Sequence, residues 1–349
     1  MPSEVQTVQK YRTLARLYHA FFTGVLLTVS SRKSAAAAGD LTFNIFRQQH
    51  SEKFLSSFEK LGLDGLPDAV ACAQYHYLSN SVGGVGVEYM YETDQKAWVH
   101  FLHPRWMYEG AALCGIPIDV SHGFLKGWYG QNGVSLGNPR LGFVCTSQDM
   151  DGQYGLAGYF REFDHDLTSD ERLQFAPGEM APPFDPAAAP VLDAGNWTEE
   201  RLEKAGRNYT MEYVKNFLVE LAKLFGPADA AYLGGVTGQL IGKQYYTETA
   251  EALGVVGDDA ASFADYLRLL IEAHDDRAEI ETNGDTVLVR QYGWRLMRGV
   301  KNPANSAFEG WNGLWQGALS VHNRFLLLEV LRRIDYGDDC FEWRIRPRG

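Results

Sequence analysis

The sequence predicts an α+β protein of two related units, each a small antiparallel sheet of two hairpins covered by helices. Three observations carry that expectation. Residues Val120 to Asp164 read as a short helix carrying Trp128, a strand from Leu141 to Gln148, a turn at Asp151-Gly152 and a strand from Leu156 to Asp164. Residues Ser306 to Arg346 repeat the plan: a Gly/Trp-rich helix, a strand from Arg324 to Ile334, a Gly-Asp turn and a strand from Cys340 to Arg346. Each stretch is preceded by a hairpin signal, two alternating runs joined by a tight turn at Asp94-Gln95 in one case and Asn283-Gly284 in the other.

Taken in order, Glu4 to about Ser30 has the apolar spacing of a helix, and its run from Ala20 to Val29 is shorter than the roughly 20 residues of a membrane span. That helix is expected to pack on the protein or on a second copy, giving a homo-oligomer. A loop over Ser31 to Gly39 follows, then a helix from about Leu41 to Leu61 with Phe43, Phe46, Phe54 and Phe58 on one face. Pro67 fits the first turn of the next helix, which ends near Asn80. The first hairpin occupies Val85 to His103, and Pro104 stops it. Phe175 to Asn196 holds five prolines around an alanine run and reads as a linker. Helices are expected over Thr198 to Phe225, about Ala230 to Leu253, and Asp259 to His274, before the second hairpin. The domain plan is thus an N-terminal helix over 1–40, a first unit over 41–174, a linker over 175–197 and a second unit over 198–349.

At 349 residues the chain exceeds one small core, and 45% hydrophobic with 22% charged residues is ordinary for a globular protein. A net charge of −12 argues against nucleic acid and against an anionic membrane, since both need a basic surface. The four cysteines are far apart and form no CxxC pair, so reduced thiols in the cytoplasm are the simplest expectation.

The chain's C-terminal end carries Trp311, Trp315, Gly317, Glu329 and the terminal GDDCFEWRIR from Gly337 to Arg346. In these it resembles the L-2-amino-thiazoline-4-carboxylic acid hydrolase family and the related 4-vinyl reductase type of small-molecule-binding domain. The resemblance covers about residues 205–346 and, through the internal repeat, more weakly 40–164. Cys340 stands one place before the family's cysteine, where this chain has Phe341, and a one-residue shift along a strand reverses the face. The resemblance implies a hydrolase opening a C–N or C–S bond of a small substrate, or a binding domain without chemistry.

Histidine gathers in the first unit, with His76, His100, His103 and His122 close in sequence to Glu88 and Arg105. A neutral imidazole is a natural proton shuttle and a carboxylate can orient it. His76 or His122 is therefore the candidate base, with Glu88 orienting it and His100 a further catalytic candidate. Arg105 or Arg140 would hold an anionic group, since a guanidinium forks onto a carboxylate. Tyr77, Asn80, His103, Trp106, Trp128 and Cys145 complete the candidate binding set. The competing reading makes each histidine a half-buried imidazole bonded to backbone, and Cys145 a small core residue. No HxH, HxxxH or HExxH spacing occurs, and His100 and His103 point to opposite strand faces, so no metal and no cofactor is expected. The expected activity is hydrolysis by His-assisted water attack on a small anionic molecule. A lyase using the same residues and a non-catalytic sensor are the alternatives.

Overall fold

The computed structural model describes residues 4–348 apart from 104, 193, 194, 196 and the side chains of Glu4 and Trp106. Helix α1 (Glu4–Arg32) opens the chain. The chain divides into two compact units, one of Val29–Thr198 and one of Met1–Thr28 with Glu199–Gly349. The N-terminal helix is therefore not a separate segment: most of it belongs to the unit that contains the C-terminus. Leu14, Leu17, Tyr18, Phe21, Phe22 and Val25 are all buried, with Phe21 edge-on to Phe217 at 4.9 Å. The helix's apolar face thus packs on the protein, one of the two alternatives the sequence left open. No helix among the described residues is long and apolar enough to cross a membrane.

In the 29–198 unit, α2 (Ala35–Lys53) starts earlier than expected because Ser34 caps it, its side chain accepting from the Ala37 amide at 3.1 Å. It is followed by α3 (Phe58–Leu61), α4 (Asp68–Val82), β1 (Val87–Thr93), β2 (Lys96–Phe101), α5 (Ile118–Gly127), α6 (Asn132–Leu136), β3 (Leu141–Ser147), β4 (Leu156–Glu162) and β5 (Leu173–Phe175). Helices α2 and α5 touch backbone to backbone: a Cβ on Gly123 would lie 2.3 Å from the Gly39 carbonyl oxygen.

The sheet runs β1-β2-β4-β3-β5. Along each strand the side chains alternate. Val99, Phe101, Phe143 and Phe160 face the helices, while Met90, Trp98, Val144 and Tyr159 form a second apolar cluster on the other side. The stretch expected to be a linker covers that second cluster. β5 pairs in parallel with β3, and Ala176, Ala181 and Phe184 pack on Trp98 and its neighbours. A face so apolar cannot be left to water, and proline-rich chain is adequate cover because it needs few backbone partners of its own. The sheet thus keeps the two expected antiparallel hairpins, β1-β2 and β3-β4, and gains β5 as a fifth, parallel strand.

The other unit continues with α7 (Glu199–Ala252), α8 (Ala260–Ala273), β6 (Arg277–Asn283), β7 (Thr286–Tyr292), α9 (Asn305–His322), β8 (Leu326–Arg332) and β9 (Phe341–Pro347). α7 breaks at Gly226 (φ 80°, ψ 164°) and resumes at Pro227, matching the two helices expected there. The strand order β6-β7-β9-β8 follows the same path as β1-β2-β4-β3. Both sheets also have an irregularity late in the third strand, at Cys145/Ser147 and at Val330/Arg332. The outer face differs. Here Arg290 bridges Glu281 and Glu342, and Glu329 holds Arg344 at 2.6 Å and Arg346 at 2.9 Å, so an ionic lattice needs no cover. Trp311, Trp315 and Gly317, which carry the family resemblance, serve the core: both indoles are buried, and a Cβ on Gly317 would lie 2.1 Å from the Gln239 carbonyl oxygen.

Candidate active site

Strands β2 and β3 are each antiparallel to β4, so their C-terminal ends lie together. Phe101 ends β2 against Leu156, and Ser147 ends β3 against Ala157. The segments leaving these two strands build the site. After β2 come His103 and Arg105 and a 3-10 turn of Trp106–Tyr108; after β3 comes a 3-10 turn of Asp149–Asp151 closed by Gly152 in the left-handed region.

Arg105 is 4% exposed, and its guanidinium lies over three rings, Phe101 at 4.5 Å, Tyr108 at 4.9 Å and Phe124 at 5.5 Å. Stacking of this kind contributes about 0.5–2 kcal/mol per ring when desolvated. Its ionic partner is Asp149, Nη1 to Oδ2 at 3.9 Å, which is beyond hydrogen-bond reach. Among the described residues Arg105 Nε and Nη1 and Asp149 Oδ2 have no hydrogen-bond partner although all are buried. The other oxygen of Asp149 is engaged: His103 Nε2 lies 2.6 Å from Oδ1. His103 reaches outward from this dyad, its side chain 35% exposed against 2% for Asp149. Thr146 Oγ1, Ser147 Oγ and Gln148 Oε1, on the chain leading into Asp149, are further buried polar atoms without partners. Burial pushes the Tyr108 hydroxyl above its ordinary range, with the Arg105 cation pulling it back.

Buried unpartnered polar atoms cost about 1–3 kcal/mol each, so a cluster of them marks a place built for something other than stability. The second unit supplies the control. At the same end of its sheet Arg333 also lies over aromatic rings, Phe308 at 4.0 Å and Tyr336 at 4.2 Å. Its donors are all used: Nε and Nη2 on Asp335 at 3.0 and 2.6 Å, Nη1 on Glu309, and Nη2 also on the Asn305 carbonyl. The fold therefore permits a fully satisfied arginine at this end, and Arg105 is not one.

The other expected site residues divide. His76 is fully buried, stacked on Tyr129 at 4.0 Å and on Phe160 at 5.4 Å. Its Nε2 accepts from Asn132 Nδ2 at 3.3 Å, and Asn132 Oδ1 pairs with His50 Nε2 at 3.1 Å. Burial drives the His76 imidazole well below its ordinary pKa and His50 down to about 4, so both stay neutral. His76 is a core residue with no access to a water. His122 is exposed against the Phe175 ring at 4.8 Å and meets none of the expected carboxylates. Glu88 orients His100 instead, Oε2 to Nδ1 at 2.8 Å, on the sheet face opposite the helices, with His100 Nε2 buried and unpartnered.

Asn80 bonds back to the His76 carbonyl at 2.7 Å, and Tyr77 sits near Tyr89 and Phe184. Trp128 is buried between Phe46, His50, Tyr75 and His76. Arg140 begins β3, at the opposite end of the sheet from Arg105, where it is exposed and pairs with Glu162 at 3.7 Å. Cys145 is buried with its thiol pushed up to about 12, the reverse of an activated nucleophile. The Trp106 side chain lies outside the described residues. His103 and Arg105 are thus the expected residues that the fold brings together, and Asp149 and Tyr108 are the partners the sequence did not disclose. Among the described residues no group of three or more His, Cys, Asp or Glu side chains is arranged to hold a metal ion. No family model, curated protein or solved structure matches the chain.

Proposed function

We propose that the 29–198 unit is a hydrolase for a C–N or C–S bond of a small anionic molecule, cyclic amidines and thiazolines included, acting in a reducing cytoplasmic compartment. The observation that carries this is Arg105, a buried cation with two free donors beside a His–Asp pair. Nε and Nη1 point to different sides of the guanidinium, so each can donate to an oxygen of a bound anion, and the fixed plane sets where those oxygens lie. With Asp149 Oδ1 accepting from His103 Nε2–H, the imidazole presents Nδ1 as a lone pair. A water bound there loses a proton to Nδ1 as its oxygen attacks the electrophilic carbon. Asp149 stabilises the imidazolium, which then returns the proton to the departing nitrogen or sulfur. Such general base action contributes about 10²–10⁴-fold.

The test is incubation of the purified chain with cyclic amidine, thiazoline and lactam carboxylates, read by mass spectrometry. Products heavier by one water are expected, with His103→Asn lowering kcat/KM by about 10²-fold or more. Products without added water would make it a lyase. A compound that raises Tm and is recovered unchanged would make it a sensor.

A further inference from the structure

The unit formed by residues 1–28 and 199–349 holds a second cluster that the hydrolase reading does not use. Asp275 follows α8 and takes the left-handed conformation (φ 60°) at the position where helices ordinarily end in glycine or asparagine. An aspartate there gives up conformational ease to place a carboxylate. Its Oδ1 accepts from the Tyr11 hydroxyl at 3.0 Å. Its Oδ2 is approached by three cations, Arg207 Nη2 at 3.0 Å, Arg295 Nη1 at 3.1 Å and Lys204 Nζ at 3.6 Å.

One carboxylate oxygen has about two lone pairs, so it is oversubscribed. Three cations thus converge on one carboxylate oxygen. The neighbouring Asp276 accepts from Gln291 Nε2 at 2.9 Å and the Arg295 amide at 3.1 Å, and its charge acts on Arg295 as well. Arg298 adds a further positive charge near it. The last carbonyls of α8 do not absorb the excess, since Arg207 Nη1 alone already serves the Ala273 oxygen. Arg207 is fully buried, and its Nε has no partner. Lys204 is 44% exposed and opens the cluster to solvent. Helices α1 and α8 also wall a cleft of about 230 Å³ lined by Gln6, Lys10, Leu253, Arg268 and Glu272. Lys10 precedes Tyr11, and Glu272 lies about one turn before Asp275, so the cleft borders the cluster.

We propose that Lys204, Arg207 and Arg295 form a binding site for a phosphoryl group, with the adjacent cleft taking the body that carries it. A phosphate monoester brings about −1.5 to −2 charges and three acceptor oxygens at neutral pH, which answers both the excess of four cations (Lys204, Arg207, Arg295, Arg298) over two carboxylates (Asp275, Asp276) and the unpartnered Arg207 Nε. A monocarboxylate answers only half of either.

Inorganic phosphate is the probe. Titrated into the full chain against sodium chloride at equal ionic strength, it is expected to bind saturably by calorimetry, to raise Tm, and to bind at least 10-fold more tightly than acetate. Lys204→Ala and Arg295→Ala, both at partly exposed side chains, are expected to weaken binding by 10-fold or more while the circular dichroism of the free protein stays unchanged. His103→Asn is expected to leave it untouched, which separates this site from the one in the other unit. Absence of saturable phosphate binding, or binding that survives both substitutions in a folded protein, overturns the assignment and leaves a purely structural ion network.

Discussion

Arg105 illustrates how much a single buried charge constrains its surroundings. It is paired with Asp149 at 3.9 Å and both side chains are almost wholly buried. Arg105→Met should therefore strand the carboxylate, and removing one partner of a buried pair costs about 3–5 kcal/mol. Urea unfolding of the variant measures this. Arg105→Lys keeps the charge but not the two fixed donor directions of the guanidinium, so it should hold most of the stability while raising KM by about 10-fold or more. A lysine variant with unchanged KM would remove the anion-fork role.

The buried imidazoles give the second consequence at this scale. His50, held down to about 4, His76, well below its ordinary value, and His274, down to about 3, are neutral when folded and bind protons when unfolded near pH 6.5. Burial is the main cause in each. Above pH 6.5 they are neutral in both states and folding is not taxed. As pH falls below 6.5 the unfolded chain takes up protons first, so stability declines by about 1.4 kcal/mol per pH unit for each such group until its folded pKa is reached. Denaturant midpoints between pH 7.5 and 5 should drop accordingly. His50→Gln should flatten the slope by about one proton.

At the scale of elements, the glycines of α7 and α9 are not interchangeable. A Cβ on Gly242 would sit 2.1 Å from the Leu314 carbonyl oxygen, whereas a Cβ on Gly206 meets nothing within 4 Å. Gly242→Ala must push the two helices apart and should cost about 1–3 kcal/mol. Gly206→Ala lies in the same helix and should instead add about 0.5–1 kcal/mol, because alanine loses less chain entropy there. A pair of thermal melts shows whether the signs differ.

Elements were also where the sequence was most readable. Asn283-Gly284 specifies its hairpin locally, and Gly226-Pro227 marks a helix break that the chain does make. The proline-rich stretch after Phe175 was misread because the need it meets is created elsewhere, by Trp98 and Tyr159 on distant strands. The site divides in the same way. Arg105 stands out as a loop residue after a strand, where ligand groups concentrate, whereas His103 read as the last residue of a strand that in fact ends at Phe101. Asp149 lies 46 positions from His103 and was hidden inside an ordinary acidic turn. His76 and Trp128, conspicuous as residue types, were absorbed into an aromatic core that no local pattern announces.

For the whole molecule, the division of the chain is discontinuous: the 29–198 unit lies in sequence inside the other one. Tyr18 of α1 accepts from Trp311 Nε1 at 2.8 Å and meets His274 Nε2 at 2.5 Å, so the C-terminal segment is completed by the chain's beginning. A protease site engineered between Thr198 and Glu199 should therefore cut the chain without separating the pieces. Capture through a C-terminal tag should retain the N-terminal fragment under native conditions and lose it in denaturant. Immediate dissociation after cleavage would show that α1 contributes little to that unit.

That arrangement also sets an order of events during synthesis. Leu14, Phe21, Phe22 and Val25 leave the ribosome well before residue 199, yet their cover is encoded after residue 198. At roughly 5–20 residues per second the intervening stretch takes on the order of ten to thirty seconds to emerge. For that interval the nascent chain trails a greasy, unsheltered helix, and the enclosed unit has time to finish folding while its host still waits for its other half.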